Sequence, residues 1–220
     1  MKNKVLSRRE REKLRQRHDI IKAALDLFSE FGYHNVSMHK IAKKAEFAIG
    51  TMYKFFPNKE ELYLEMIMEF SEKANAVFIE ALEIPGNEIE KIRNYVKVKG
   101  EVLMENEATL KLYIDRTHLA STYITASFNE DIQLLYEKLL MKLADVFEAG
   151  IKAGLFKPLL TPYYLAISLN SIISSFLLLW LRDPKQHPYT KNAATILDLF
   201  LTSIKSSKDE NEPQIKKLEC

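Results

Sequence analysis

The sequence has little of what disulfide-rich, turn-rich or cysteine-based metal proteins require. Its 220 residues include one cysteine, Cys220, six glycines and seven prolines. A single thiol can form neither an intramolecular disulfide nor a cysteine-based metal site, and such cysteine usage suits a reducing cytoplasm. So few turn-forming residues disfavour an all-β fold. Long stretches of helical periodicity instead predict an all-α protein with about nine helices.

Catalytic and metal-binding patterns are also missing from the sequence. The five histidines do not show the i,i+4 pairing that is typical of metal ligands on a helix. There is neither a phosphate-binding glycine loop nor a Gly-x-Ser-x-Gly nucleophile motif. We therefore expect no enzyme activity, no metal and no cofactor. Residues 1–17 carry charges throughout and lack the apolar segment of a secretory signal, which predicts a cytoplasmic protein.

Charge is distributed unevenly along the chain. The net charge is +2, but residues 1–60 hold fourteen Lys and Arg against seven Asp and Glu, whereas residues 61–220 hold 18 against 23. A basic head on an acidic body is typical of a nucleic-acid-binding module joined to a different kind of domain. We expect a basic arm over residues 1–17, a DNA-binding head over 18–64, a helical body over 65–206 and a flexible tail over 207–220. The arm is interpreted either as a DNA contact or as a solvated extension of the first helix.

Capping and helix-breaking residues predict where the helices begin and end. Ser7 and Glu10 have the spacing of a capping box, Gly32 suits a left-handed helix end, and Asn58 suits an N-cap before an acidic first turn. The predicted helices cover about residues 7–31, 37–45, 48–55, 58–83, 88–105, 107–117, 129–153, 161–182 and 188–206.

Residues 37–56 predict two short helices joined by a tight turn, which is the arrangement of a helix-turn-helix. On the second of these helices, Ala48, Met52, Phe55 and Phe56 are expected to face inward, together with Phe47. The opposite face is expected to present an aliphatic side chain, bare backbone, a phenol and an ammonium, which suit a thymine methyl, the groove and phosphates. The predicted DNA-contacting residues are Ser37, His39, Lys40, Lys44, Ile49, Gly50, Thr51, Tyr53, Lys54 and Lys59. An ordinary three-helix bundle with solvated basic residues is the alternative.

This segment resembles the tetracycline-repressor (TetR) family over about residues 18–64. The resemblance is carried by Ile41-Ala42, Gly50-Thr51-Met52-Tyr53, Phe56-Pro57 and Asn58-Lys59-Glu60-Glu61-Leu62. Two residues depart from the family pattern. Glu46 stands where the turn usually holds glycine, which predicts about 1 kcal/mol of left-handed strain. Ala48 stands where the third helix usually begins with serine or threonine, which predicts a loss of about 1 kcal/mol of capping.

The resemblance implies a homodimeric, ligand-responsive transcriptional regulator, most often a repressor, that binds a palindromic or near-palindromic DNA operator. It also implies a small, largely apolar effector held in the helical body. Candidates for the effector pocket, chosen by helix position, are Met66, Phe70, Phe78, Tyr95, Leu103, Tyr113, His118 and Phe176. Plain core packing is the alternative for each of them.

The segment from Pro158 to Leu181 contains no charged residue. A helix that is apolar nearly all round must be covered nearly all round, either by protein or by a membrane. Its interrupting Thr, Ser and Asn residues favour an interface between two copies of the chain. The predicted dimer interface comprises Leu165, Leu169, Ile172, Ile173, Phe176, Trp180, Ile196, Leu197, Phe200 and Ile204. A membrane-anchored sensor and a DNA-binding protein with a chromosome-organising or cell-cycle role are the rival interpretations.

Overall fold

The computed structural model describes residues 6–118 and 130–206, and the side chains of these apart from 115–118 and 190–192. The described part of the chain is all-α, as predicted. Its helices are α1 (Arg8–Phe31), α2 (Met38–Lys44), α3 (Ile49–Phe55), α4 (Lys59–Leu82), α5 (Glu88–Glu105), α6 (Glu107–His118), α7 (Glu130–Lys152), α8 (Pro162–Arg182) and α9 (Tyr189–Ile204). The predicted tail, residues 207–220, lies outside the described residues.

The capping signals act as predicted. Ser7 Oγ accepts a hydrogen bond from the Glu10 amide at 3.2 Å, and the Glu10 carboxylate accepts one from the Ser7 amide at 2.7 Å. Asn58 Oδ1 accepts from the Glu61 amide at 2.8 Å, which caps α4. Gly32 ends α1 with a φ of +76°. The one local difference is the link after Gly32, which forms a 3-10 turn over Tyr33–Asn35.

The chain divides into two compact units, and three helices contribute residues to both. The first unit contains the described residues of Met1–Val77 and Glu101–Glu137, and the second contains those of Phe78–Gly100 and Lys138–Cys220. Helices α4, α5 and α7 are each shared between the units. The predicted boundary after residue 64 falls inside α4, where the helix is unbroken. The functional division into head and body stays a prediction.

The core of the first unit is formed by α1, α2, α3 and the first half of α4. Its fully buried members are Ile20, Ala24, Phe28, Ile41, Met52, Phe56, Leu62, Tyr63 and Ile67. The Tyr63 hydroxyl donates to the carbonyl of Leu112 at 2.9 Å and so ties α4 to α6. Phe31, the last residue of α1, is 46% exposed. The buried face of α1 also includes Ala23 and Leu27.

The second unit is built around α8 and α9, which pack against each other. The segment after α7, predicted to be a loop, is anchored to the end of α9. Phe156 is buried and forms an isolated antiparallel bridge with Lys205. The amide of Lys157 donates to the carbonyl of Ile204 at 2.6 Å. Gly150 allows this anchoring, because a Cβ there would lie 2.3 Å from the Phe156 ring.

Candidate functional site

The turn between α2 and α3 is a Schellman motif with a non-glycine residue in its left-handed position. The amide of Phe47 donates to the carbonyl of Ala42 at 2.9 Å, and that of Glu46 donates to Lys43 at 3.3 Å. Glu46 has a φ of +61° and is the only non-glycine residue with positive φ in the described ranges. The expected left-handed backbone at Glu46 is therefore confirmed. The turn thus has Schellman geometry with a glutamate in its left-handed position.

Helix α3 begins without a side-chain cap, as predicted. Ala48 is the N-cap, with φ −62° and ψ 139°, and offers no oxygen to the free amides of the first turn. One expectation about the faces of α3 is wrong, and the DNA contact of Ile49 stays a prediction. Ala48 is exposed rather than inward, because it precedes the first helical residue and points out of the turn. Ile49 is half-buried and packs against the core, so it is only partly available to DNA.

Four of the predicted contact residues form an exposed, unengaged surface that we call the recognition surface: His39, Gly50, Tyr53 and Lys54. Tyr53 is 48% exposed. Neither its hydroxyl nor the side chains of His39 and Lys54 make a hydrogen bond or ion pair within the described part of the chain. A Cβ added at Gly50 would meet nothing within 4 Å. The backbone at Gly50 is therefore open to an approaching molecule.

The remaining predicted contacts are less available. Ser37 is the N-cap of α2 and accepts from the Lys40 amide at 3.3 Å, and Thr51 is half-buried. The Lys40 ammonium donates to the carbonyl of Asn35 at 3.1 Å. Lys44 pairs with Asp26 of α1 at 3.5 Å. Ser37, Lys40 and Lys44 therefore make contacts within the protein itself.

Lys59 differs most from its predicted role. Its ammonium donates to the carbonyls of Tyr33 and Val36 at 2.8 and 2.9 Å. It also lies 4.2 Å from the centre of the Tyr33 ring, which is within cation–π distance. Lys59 thus fastens the start of α4 to the connection between α1 and α2. This geometry favours a structural role for Lys59 over phosphate binding.

A clamp between α1 and α4 was not predicted from the sequence. Arg17, assigned to the basic arm, forms ion pairs with Glu65 and, at 3.5 Å, with Glu69. Its guanidinium lies 5.7 Å from the centre of the Phe56 ring. The Lys73 ammonium, 2.6 Å from Glu69, holds the pKa of that carboxyl below its usual range. Arg17 therefore belongs to the packing of the first unit, whereas most of the other basic side chains between Arg8 and Arg15 are exposed.

Comparison with known proteins agrees with this geometry. Residues 20–66 match the sequence pattern of "Bacterial regulatory proteins, tetR family". The chain is 29% identical over 188 residues to the uncharacterized HTH-type transcriptional regulator YhgD of Bacillus subtilis, covering 83% of this chain and 92% of that one. The family match and this relative support a TetR-family transcriptional regulator. TetR-family regulators combine a helix-turn-helix that binds DNA with a helical body that binds ligands.

Two further relatives are known as regulators. The HTH-type transcriptional repressor KstR2 of Mycobacterium tuberculosis is 24% identical over 143 residues, which cover 65% of this chain and 70% of that one. The crystal structure of the transcriptional regulator FadR from Bacillus subtilis in complex with stearoyl-CoA has a TM-score of 0.70. It is 22% identical and covers 85% of this chain and 98% of that chain. The latter likeness establishes the fold.

The predicted effector-pocket residues are divided between the two units. Met66, Phe70, Leu103 and Tyr113 belong to the first unit, and Phe78, Tyr95 and Phe176 to the second; the side chain of His118 is outside the described residues. Of the eight, Phe176 alone lines a small apolar cavity between α5, α8 and α9. The volume of that cavity is about 10 Å³. It would have to widen greatly, since small-molecule sites typically enclose about 300–1,000 Å³.

Most of the predicted dimer-interface residues are core residues of a single subunit. Leu165, Leu169, Ile173, Trp180, Leu197 and Ile204 are all buried within the chain. They face inward because α8 packs against α9 along this side. The expectation that they meet a partner is therefore wrong. Ile172, Phe176, Ile196 and Phe200 are half-buried and retain partial exposure.

The opposite side of α8 forms a second surface, which we call the outer face: Tyr164, Ser168, Ser171, Ser175 and Leu179. Tyr164 is 58% and Leu179 38% exposed. The residues recur every three or four positions and therefore share one side of the helix. By length and a mean hydropathy of 1.8, α8 could also cross a membrane, but a core helix of a soluble protein passes the same test. Within its most apolar stretch, 39% of the residues are buried.

A buried polar cluster in the second unit was missed by sequence reasoning. Lys99 and Tyr95 lie one turn apart on α5, Asn170 comes from α8, and Phe78 from the end of α4. Lys99 is the only charged residue among the buried residues that the structure describes. Its amine donates to Asn170 Oδ1 and, at 3.3 Å, to the Tyr95 hydroxyl. Burial lowers the pKa of Lys99 to about 7. We call these four residues the Lys99 cluster.

Proposed function

We propose that the protein is a homodimeric transcriptional repressor that leaves a palindromic operator when a small, largely apolar effector binds its second unit. The recognition surface is the observation that carries this proposal. It presents a phenol, an ammonium, an imidazole and open backbone on the two helices of a helix-turn-helix. These groups suit phosphate and base-edge contacts in a major groove.

Dimerisation is supported by the outer face of α8. This face combines Tyr164 and Leu179 with small serine side chains, a composition that permits close helix packing. The hydroxyls of Ser168 and Ser175 donate to carbonyls of their own helix at 2.7 and 2.9 Å. Their donor hydrogens are thus satisfied without water. A second copy of the same face would cover the apolar side chains, and a two-fold dimer would present two heads to the two halves of a palindrome.

Coupling between the two functions is assigned to α4. This helix starts at Lys59 beside the helix-turn-helix and reaches Phe78 of the Lys99 cluster without a break. A shift of its carboxyl end on effector binding would move the amino end that Lys59 fastens to the head. The effector would then favour a state in which the two heads no longer match both half-sites.

DNA binding is tested by selecting duplexes from a random pool with the purified protein and measuring affinity by fluorescence anisotropy. Lys54→Met should weaken binding to all sequences and reduce the salt slope by about one, because one phosphate contact is lost. Lys22→Met, which removes an exposed lysine of α1 outside the recognition surface, is the matched control. Equal affinity and equal salt slope for the two variants would contradict the assignment.

Base readout is tested at Gly50. Gly50→Ala meets no neighbour in the free protein, so the fold should be retained, whereas an added methyl would obstruct close approach to the groove. We expect a loss of operator affinity with no loss of thermal stability. Unchanged operator affinity would place Gly50 outside the DNA interface.

The dimer is tested by light scattering after size exclusion. Ser171→Arg places a charge in the middle of the outer face and should yield monomers, whereas Leu134→Arg at an exposed position of α7 should not. A Ser171→Arg variant that remains dimeric would exclude this face.

We further propose a cytoplasmic location on the nucleoid. Recovery of the protein in the membrane fraction would instead favour α8 as an anchor.

A further inference from the structure

The Lys99 cluster contains an ionisable amine without a compensating charge. Lys99 is 6% exposed and has no carboxylate partner in the described part of the chain. Its hydrogen-bond partners, the Tyr95 hydroxyl and Asn170 Oδ1, are neutral, and Tyr95 itself donates to Asn170 at 3.0 Å. Both partners are almost fully buried. A buried ammonium without an anion is strongly disfavoured.

The aromatic neighbours only partly compensate for this burial. The amine lies 5.8 Å from the centre of the Phe78 ring and 5.6 Å from that of Tyr95. Cation–π attraction at these distances is weaker than an ion pair in the same low-dielectric surroundings. A glutamine or methionine could fill the same space without a charge. The position therefore has a chemical property, an uncompensated amine, that packing alone does not require.

The surroundings of the amine are apolar and adjoin the small cavity. Val96, one turn before Lys99, and Leu169, next to Asn170, both line it. Tyr189 lines it too, and its ring covers Gly100, where a Cβ would lie 2.1 Å away. Movement of the Tyr189 ring from Gly100 would thus open a path between the cavity and the residue that follows Lys99. The surface that lines the cavity is apolar.

We propose that the effector is an apolar carboxylic acid whose carboxylate pairs with the Lys99 ammonium and whose apolar part widens the cavity between α5, α8 and α9. This inference rests on the proposed ligand-binding function of the second unit and names the chemical class of the ligand. The carboxylate supplies the missing negative charge in a dry environment, where charge-assisted hydrogen bonds are strongest. The apolar part removes hydrocarbon surface from water.

Acid binding has a proton signature that a merely structural lysine lacks. At pH 8 the amine of the free protein is mostly neutral, because burial lowers its pKa to about 7. A bound carboxylate favours the charged amine and raises that pKa. Each acid bound should therefore take up close to one proton at pH 8. Calorimetry in buffers of different ionisation enthalpy measures this uptake directly.

The test compares hexanoate, decanoate, hexadecanoate and cholate with their neutral methyl esters on the full chain. For at least one pair, the acid should raise the thermal unfolding midpoint more than the ester and bind with proton uptake. Lys99→Met should weaken acid binding about tenfold or more, the range expected when a charged hydrogen bond is lost, and abolish the uptake. Lys97→Met, two positions away and exposed, should behave like the wild type.

Several results would overturn the proposal. The proposal is wrong if no acid binds better than its methyl ester, or if Lys99→Met still prefers the acid. It is also wrong if the acid binds without proton uptake at pH 8. If Lys99→Met does not fold, NMR of the wild-type lysine side chains with decanoate decides, since the buried amine must shift toward its charged form. Operator binding measured without ligand is independent of these results. Failure of the repressor proposal can thus be distinguished from failure of the carboxylate proposal.

Discussion

The head and the body each contain unusual residues, but these residues affect different properties of the protein. In the head, the unusual residues Glu46 and Ala48 are exposed, and their effect lies in backbone conformation and capping. In the body, the unusual residue is Lys99, which is buried and whose effect lies in charge. Exposed backbone departures cost about 1 kcal/mol each, whereas a buried unpaired charge costs several times more. The free-energy cost of the unusual residue in the body is therefore larger than that of either unusual residue in the head.

The largest effect is expected from Lys99→Met and its dependence on pH. The pKa of Lys99 is lowered from 10.5 to about 7 in the folded protein. Between these values the unfolded chain binds a proton that the folded chain does not, so wild-type stability should rise with pH through this window. Below pH 7 both states carry the proton, so stability should no longer change with pH and the destabilisation by the buried charge is complete. Lys99→Met removes this dependence and should be more stable than the wild type by about 3 kcal/mol at pH 6.

Urea unfolding of wild type, Lys99→Met and Lys97→Met from pH 6 to 9 provides the measurement. The stability gap between wild type and Lys99→Met should narrow steadily above pH 7, while Lys97→Met should follow the wild type throughout. A gap that stays constant with pH would mean that the buried amine does not titrate in this range. The buried charge of Lys99 would then not explain a larger free-energy cost in the body than in the head.

The second effect concerns Lys59, where the head depends on a side chain that was predicted to bind DNA. Lys59→Met leaves the carbonyls of Tyr33 and Val36 without their shared donor, and we expect a loss of about 2 kcal/mol of stability. Lys54→Met removes an exposed lysine of the same unit and should leave stability almost unchanged. Urea unfolding followed by circular dichroism compares the two. If Lys59→Met and Lys54→Met are equally stable, Lys59 does not have this structural role, and its predicted contact with DNA is favoured instead.

Local signals predicted the fold well because they act within a few residues. The capping box at Ser7, the helix end at Gly32 and the N-cap at Asn58 each involve neighbours at most four positions apart. The recognition surface follows from helical periodicity in the same way. Contacts between distant segments escaped prediction: Lys59 reaches carbonyls 23 and 26 residues away, and Lys99 meets Asn170 across 71 residues. Nothing in the sequence near these lysines distinguishes them from solvated ones.

The inward face of α8 shows the same limit on prediction. The sequence indicates that nearly every side of this helix is covered, but it cannot show which side meets α9 and which side meets a partner. Leu165 and Leu169 proved to face the core of their own subunit, whereas Tyr164 and Ser168 lie on the outer face. A uniformly apolar helix has no polar stripe to fix its orientation. Only the packing of the folded chain determines it.

A smaller effect is expected from relieving the left-handed turn. Glu46→Gly permits the observed φ of +61° without the clash of a Cβ and should stabilise the protein by about 1 kcal/mol. Glu46→Ala removes the carboxylate but keeps the Cβ, and it should show no such gain. Thermal unfolding of the three proteins separates backbone strain from charge. Equal gains in both variants would indicate that charge, not conformation, is the cost at this turn.

The smallest effect isolates one missing oxygen at the start of α3. Ala48 is exposed and already has the extended backbone of an N-cap, so either Thr or Val can replace it without a steric conflict inside the head. Thr and Val have nearly the same shape, and both restrict the side chain equally. Only Thr can accept a hydrogen bond from the free amides of the first turn. Ala48→Thr should therefore exceed Ala48→Val in stability by about 1 kcal/mol. If the two variants unfold at the same temperature, the first turn of α3 gains nothing from a cap, and the head's second departure from the family pattern carries no energetic cost.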